Sequence, residues 1–334
     1  MLPGPEAMQL ATYAGWRLRG VVGGLIGGLL FVLPGALVIA VLALSYAQFG
    51  QVPLVQAAFV GIKAAVIVIV AQALWRLSRK ALGSGLAWGL ALAAFVAIFV
   101  FAVPFPLVVA AAALVGAVCM ATPTGAAPSP AGGTVPLSAT LRTAALWGLI
   151  WALPLAAALW YDPGFLGALG LFFSQLAIVT FGGAYAVLAY MTQSVVSDYG
   201  WLTTPEMIDA LGLAETTPGP LILVTQFVAM LAGQSAGGAA LALLAGVLAL
   251  WVTFVPCFLW IFVAAPYMEA LAHRPRLQAA LKGITAAIVG VIAQLGLWFA
   301  LHVLFRDLGQ IAAMPVPRAS SLDLHALGLV GLAA

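Results

Sequence analysis

Apolar runs long enough to cross a bilayer recur along the whole of this chain. A hydrocarbon core of about 30 Å takes roughly 20 helical residues. Candidate spans stand at 21–46, 56–77, 82–103, 143–160, 165–193, 236–264 and 276–304. Shorter runs lie at 105–121 and 218–234, and 3–19 is similar to the second of these. Little between the runs could solvate a surface. Charged residues make up 6% of the 334 positions, against about 25% in a soluble domain. Lipid must cover much of the molecule, and the expected fold is all-α: a polytopic integral membrane protein of about nine to ten membrane segments. The same scarcity excludes a soluble enzyme, a disordered chain and a nucleic-acid binder. The pI near 9.0 reflects basic residues in short loops, where they set membrane orientation. Cys119 and Cys257 both lie in apolar runs, so no disulfide framework is expected. Met1 to Glu6 carries Pro3, Gly4 and Pro5 but no basic run, so no cleavable signal peptide is expected.

An internal repeat is legible by eye. Residues 53–72 match 275–294 at a constant offset of 222, with 10 of 20 positions identical, among them Pro53/Pro275, Gln56/Gln278, Gly61/Gly283 and Gln72/Gln294. Pro34 and Pro256 share that offset. "LPGP" at 2–5 matches "TPGP" at 217–220 at an offset of 215, and the difference of seven reads as two helical turns inserted in one copy. A Pro/Gly/Ser stretch at 122–141 separates the copies. The expected organisation is a first repeat at 1–121, a cytoplasmic linker at 122–141, a second repeat at 142–305 and a C-terminal tail at 306–334. The first copy has only Met1 before its LPGP, whereas the second has about 70 residues between linker and TPGP. The front of the first repeat is therefore expected to be missing from this chain.

Charge placement inverts one copy relative to the other. The loop 47–55 is uncharged, while its mate 266–276 carries Arg274 and Arg276. Arg76, Arg79 and Lys80 end the first copy, and the matching 298–305 has no Lys or Arg. Equivalent loops with opposite charge bias lie on opposite sides of the membrane, and an odd number of crossings between 3–19 and 218–234 gives the same result. Inverted-topology repeats with broken helices are the architecture of many secondary transporters. Loops 76–81, 122–142 and 266–276 are then cytoplasmic and the tail external.

Two breaks mark a candidate binding site. Phe181-Gly182-Gly183 interrupts an otherwise spanning run, and paired glycines permit an unwound turn. Pro218-Gly219-Pro220 opens the next segment, where proline in the first turn costs no hydrogen bond. A helix N-terminus there exposes free N–H groups and partial positive charge, which suit an oxyanion. Thr216 and Thr217 add hydroxyls, and Gln226 follows two turns in. Pro3, Gly4 and Pro5 would supply the same start in the first copy.

The stretch from "FGGAY" through "DYGWLTTPE" to "GLAETTPGPLILVTQF" resembles the chromate ion transporter family. The first half, "LPGPEAMQLATYAGWRLRG" with "FVLPGALV", resembles that family's amino-terminal repeat. The resemblance covers nearly the whole chain. It implies a multi-pass inner-membrane transporter of chromate that shares its route with sulfate, conferring chromate resistance, and it implies no enzyme and no cofactor.

Lys63 stands within an apolar run. Either its stem lifts the ammonium to the interface, or it is a counter-charge for a dianion. Asp198, Glu206 and Asp209 read as a solvated loop and amphipathic helix, with Thr204-Pro205-Glu206 as cap and first turn. Glu215, three residues from Pro218, is a candidate for coupling protons to transport. His273, His302 and His325 are too scattered for a metal site. Trp16, Tyr46, Trp75, Trp160, Tyr161, Trp201 and Tyr267 read as interfacial belts. The expected partners are a chromate- or sulfate-like oxyanion, the bilayer and a second copy in a homodimer. The alternatives are another small anion as substrate, or an inactive or partner-requiring family member. A membrane enzyme would need titratable groups inside the membrane, and only Lys63 and Glu215 qualify, so no catalytic residue is assigned.

Overall fold

A computed structural model of the chain describes residues 5–120, 136–180, 184–217, 219–267, 274–305, 307–311 and 314–333. The apolar runs are helices: α1 (Glu6–Phe49), α2 (Pro53–Ala81), α3 (Gly85–Phe99), α4 (Phe105–Cys119), α5 (Leu137–Tyr161), α6 (Ala168–Val179), α7 (Ala184–Gln193), α8 (Thr204–Thr216), α9 (Val224–Ala264) and α10 (Pro275–Leu304). Pro53 and Pro275 open α2 and α10, where their fixed φ favours the helix and no N–H is lost. The α5 helix begins inside the stretch expected as a linker, whose residues 122–135 lie outside the described part. The expected run 165–193 is three pieces: a π-turn at Pro163–Gly167, then α6, then α7.

Helices α1 and α9 are each two antiparallel arms. The first turns at Arg19 (φ −141°, ψ 27°) and Gly20 (φ 60°, ψ −149°). The second turns at Gly237 (φ −164°, ψ 23°) and Gly238 (φ 76°, ψ −168°). The positive φ at Gly20 and Gly238 is open to glycine without the penalty an L side chain meets. The turned arms touch through small residues. A Cβ on Gly15 would strike the carbonyl of Gly23, and one on Gly233 would come within 2.8 Å of the carbonyl of Leu241. A Cβ on Gly28 would meet Thr12, and one on Gly246 would meet Met230. Both pairs of contacts, like both turns, are related by an offset of 218 residues. The seven-residue difference is thus not one insertion of two turns. Three residues enter between the Pro-Gly-Pro starts and the turned arms, and four more between Gly28 and Pro34. The short arm 6–18 rises about 20 Å, less than the hydrocarbon thickness.

The chain divides into two compact units, each built from both of its halves: Met1–Phe49, Thr124–Ala184 and Thr217–Arg274 form one, and Gly50–Pro123, Tyr185–Thr216 and Pro275–Ala334 the other. In the first unit the long arms of α1 and α9 run antiparallel. A Cβ on Gly24 would meet the ring of Phe262, and one on Gly28 the ring of Phe258. Trp147 of α5 covers the same two rings at centroid distances of 5.6 and 5.1 Å, and Trp251 Nε1 donates to the Ile150 carbonyl at 2.9 Å. Here α6 packs on α9 through Gly170 and Leu248.

In the second unit α10 is the central helix. It meets α4 where Gly116 and Gly283 face each other and α3 where Gly290 lies under the Ala91 carbonyl, small residues letting the backbones approach. A capping box starts α8. Thr203 Oγ1 donates to Glu206 Oε2 at 2.7 Å, as does the Thr203 N–H at 2.8 Å, and the Glu206 N–H returns to Thr203 Oγ1 at 3.4 Å. The cap is therefore Thr203, one residue before the expected Thr204, because only Thr203 stands three residues before the glutamate. The tail adds a small antiparallel hairpin to the otherwise helical fold, β1 (Leu308–Ile311) with β2 (Met314–Pro317), followed by α11 (Leu324–Ala333).

Large apolar side chains face outward: Leu10, Leu18, Val118 and Trp160 are 69 to 91% exposed. Among the described residues five helices are long and apolar enough to cross a membrane, at Glu6–Phe49, Pro53–Ala81, Leu137–Tyr161, Leu221–Tyr267 and Pro275–Leu304. Such a surface requires an apolar solvent. Not all the aromatic residues read as interfacial belts are free to act so: Tyr46 packs edge-on against Phe227 at 5.7 Å, and Tyr267 shares a 2.6 Å hydrogen bond with Thr140.

Candidate functional site

The first unit holds the start of α9. Gly219 takes φ 124°, and a Cβ there would stand 3.3 Å from Gly35 Cα and 3.0 Å from Leu223 Cδ1. Pro220 is extended (φ −67°, ψ 131°), Leu221–Leu223 form a 3₁₀ turn, and α9 follows from Val224. The first N–H groups of such a helix have no intrahelical acceptor. Gln226, one turn on and 4% exposed, donates through Nε2 to the Ala36 carbonyl at 3.0 Å. Its Oε1 is buried with no hydrogen-bond partner among the described residues. Thr225 Oγ1 is committed to the Ile222 carbonyl at 2.8 Å.

The contact is reciprocated. Pro34 lies just before Gly35 and Ala36, the residues against which α9 starts. Gln9, in the first turn of the short arm of α1 and 5% exposed, hydrogen-bonds Cys257, the residue after Pro256. Each helix start therefore abuts the other helix just past a proline. A proline inside a helix frees the carbonyl four residues earlier, here those of Leu30 and Val252, a turn or more before the points of contact.

The second unit holds the charged and polar groups. Lys63 of α2 pairs with Asp209 of α8 at 2.6 Å, with side-chain exposures of 17% and 3%. Asp209 is therefore buried and paired, and does not lie on a solvated face as expected. α8 is amphipathic, but the side carrying Asp209 packs against α2, and its charge is balanced there. Lys63 lines a cavity of about 490 Å³ with Thr204, Ile208, His302 and Asp323. Thr204 and His302 also line a second, polar cavity of about 400 Å³ with Thr192, Gln193, Ser197 and Gln294. His302 Nδ1 bonds the Trp298 carbonyl at 2.8 Å.

Of the residues singled out by sequence, Pro5, Thr217, Gly219, Pro220 and Gln226 belong to the first unit. Thr216, Glu215 and Lys63 belong to the second. Thr216 Oγ1 points back along α8, donating to Gly212 and Leu213 carbonyls at 3.2 Å, and Glu215 is half-buried. Pro3, Gly4, Phe181, Gly182, Gly183 and Pro218 lie outside the described residues. The helix stops at Val179 and restarts at Ala184 on either side of the glycine pair. The sequence singles out neither Gln9 nor Ala36, and it places Asp209 on a solvated face. Gln9 carries a signal, as a rare polar residue one turn after Pro5. The pairing of Asp209 with Lys63 left no local signal, since 146 positions separate them.

Broken helices, a lipid-facing apolar surface and buried polar groups at helix starts define a polytopic helical membrane protein of the transport type. The chromate transporter model matches residues 1–117 and 167–334, and the chain belongs to that family. It is 32% identical over 297 residues to a probable chromate transport protein of Synechococcus elongatus, covering 87% of this chain and 70% of that one. It is 29% identical to a chromate transport protein of Cupriavidus metallidurans, covering 87% and 68%. It is 32% identical over 350 residues to a chromate transport protein of Pseudomonas aeruginosa, covering 99% and 75%. No solved structure matches the chain.

Proposed function

We propose that the chain is a secondary transporter that moves a divalent oxyanion, chromate with sulfate as competitor, across the cytoplasmic membrane. Its substrate would sit in the first unit, at the start of α9. The residues assigned to it are Thr217, Gly219, Pro220 and Gln226, with Pro5 at the equivalent start of α1. Pro218, Pro3 and Gly4 complete the two Pro-Gly-Pro motifs on sequence grounds, and Phe181, Gly182 and Gly183 are assigned the unwound turn beside them. The reciprocal contact of each start with the other helix carries the reading. It brings two helix N-termini, whose first N–H groups lack intrahelical acceptors and carry partial positive charge, against partner helices within one unit. The antiparallel long arms of α1 and α9 support inverted repeats without any count of crossings, and arms of about 20 Å suit re-entrant hairpins better than spans. The names of the relatives support chromate as the substrate.

Helix N-termini bind an oxyanion by dipoles and hydrogen bonds rather than by a permanent charge. The test is uptake of chromate, and separately of sulfate, into proteoliposomes holding the purified chain. Concentrative uptake of either, inhibited by the other, supports the reading. Uptake of neither sinks it.

A further inference from the structure

We infer that the Lys63 ammonium is a second oxyanion-binding position, held in this structure by the Asp209 carboxylate in place of the anion. This rests on the oxyanion reading above. Three observations carry it. Lys63 and Asp209 meet at 2.6 Å with Asp209 almost fully buried, so a carboxylate already plays the part that an anion's oxygens would play. The same Lys63 lines the 490 Å³ cavity, which has ample room for a tetrahedral oxyanion. That cavity shares Thr204 and His302 with the neighbouring polar one, whose Gln193, Ser197 and Gln294 offer hydroxyl and amide donors along an approach.

The two ligands exclude each other for electrostatic reasons. With Asp209 ionised the pair is neutral, and a dianion entering the cavity meets repulsion from the carboxylate as well as attraction from the ammonium. Where that carboxylate charge is absent, as in Asp209→Asn, the Lys63 ammonium faces the cavity without a competing anion. The other titratable groups facing the cavity are His302 of α10 and Asp323 before α11. A protonated His302 would add to the attraction and an ionised Asp323 would oppose it, so both belong in the controls.

The experiment is calorimetric titration of the purified full chain in lipid nanodiscs with sulfate at pH 7.5, with chloride as control. Asp209→Asn should bind about tenfold more tightly than wild type. His302→Gln and Asp323→Asn should leave that difference in place. Lys63→Gln alone leaves a buried carboxylate unpaired and is liable to misfold. The neutral pair Lys63→Gln with Asp209→Asn avoids that, and should keep the wild-type melting temperature while losing the gain. Wild-type affinity in Asp209→Asn would overturn the inference, as would a double variant that binds like Asp209→Asn. No sulfate binding in any variant would overturn the oxyanion reading itself, which separates the two failures.

Discussion

Gln226 reaches from the first full turn of α9 to the carbonyl of Ala36, 190 positions away in sequence, with Nε2 and the carbonyl oxygen 3.0 Å apart. The opposite end of its amide, Oε1, is buried and has no partner among the described residues. A buried acceptor left unmade costs about 1–3 kcal/mol, an arrangement expected where a group is kept for a ligand. Replacement by leucine removes the hydrogen bond to Ala36 and the unpartnered oxygen together, and the two effects offset each other. Gln226→Leu should therefore melt within about 1 kcal/mol of wild type. If the amide contacts substrate, chromate uptake should fall about tenfold, which is 1.4 kcal/mol of lost interaction. Thermal unfolding in detergent and proteoliposome uptake read the two outcomes separately.

The turns at Gly20 and Gly238 make a cleaner test of the fold. Nothing stands within 4 Å of a Cβ built on either residue, so an alanine there meets no clash. It meets only the cost of a positive-φ, extended-ψ backbone that is essentially reserved to glycine, about 1–3 kcal/mol. Gly20→Ala and Gly238→Ala should each lower stability by that amount. Gly61→Ala, on α2 with equally open space, should instead be neutral or stabilising by up to about 1 kcal/mol. Equal melting shifts in all three would mean that the arms do not turn at these glycines.

The division between what was legible and what was not follows the range of each interaction. Helix positions were readable because hydropathy over some 20 residues is a local property, and the observed α2, α4 and α10 follow their apolar runs closely. The starts at Pro53, Pro275 and Pro220 were readable because proline acts through its own φ. The hairpin turns were harder. Arg19-Gly20 and Gly237-Gly238 look like ordinary membrane-helix glycines, and only their common offset marks them. The Lys63–Asp209 pair was out of reach, because a buried ion pair has no spacing rule. Asp209 alone looks like one more carboxylate on an amphipathic helix. The tail hairpin, short and held mainly by its own pairing, gave no period-2 signal long enough to read.

The charge bias of the loops makes an orientation prediction that needs no substrate. A reporter fused after Lys80 and another after Arg276 should both read cytoplasmic, and one after Gln51 should read external. The first two follow basic clusters, and the third sits in the uncharged loop 47–55. Reporters after Gln51 and Arg276 on the same side would contradict inverted repeats, whatever the antiparallel packing of α1 and α9.

Thr217 gives a graded test at the proposed site. Valine has nearly the same volume and removes only the hydroxyl. Thr217→Val should weaken chromate by about 1.5–3 kcal/mol, the scale of one hydrogen bond to a charged group. The reading is the concentration for half-maximal uptake, with the maximal rate largely retained. A lower rate at unchanged affinity would place Thr217 in the moving parts of the carrier and outside the binding site.

The central claim is that the start of α9 binds the substrate, and Gly219 tests it most directly. At φ 124° and with Gly35 Cα 3.3 Å from where a Cβ would stand, valine both strains the backbone and fills the approach to the helix N-terminus. The decisive measurement is chromate uptake into proteoliposomes by wild type and Gly219→Val, at matched levels of inserted, monodisperse protein. The expected result is uptake by wild type and a loss to background in Gly219→Val, with the same fraction of each inserted. Equal uptake by the two would place the substrate elsewhere and leave the Pro-Gly-Pro start as no more than a bend in the chain.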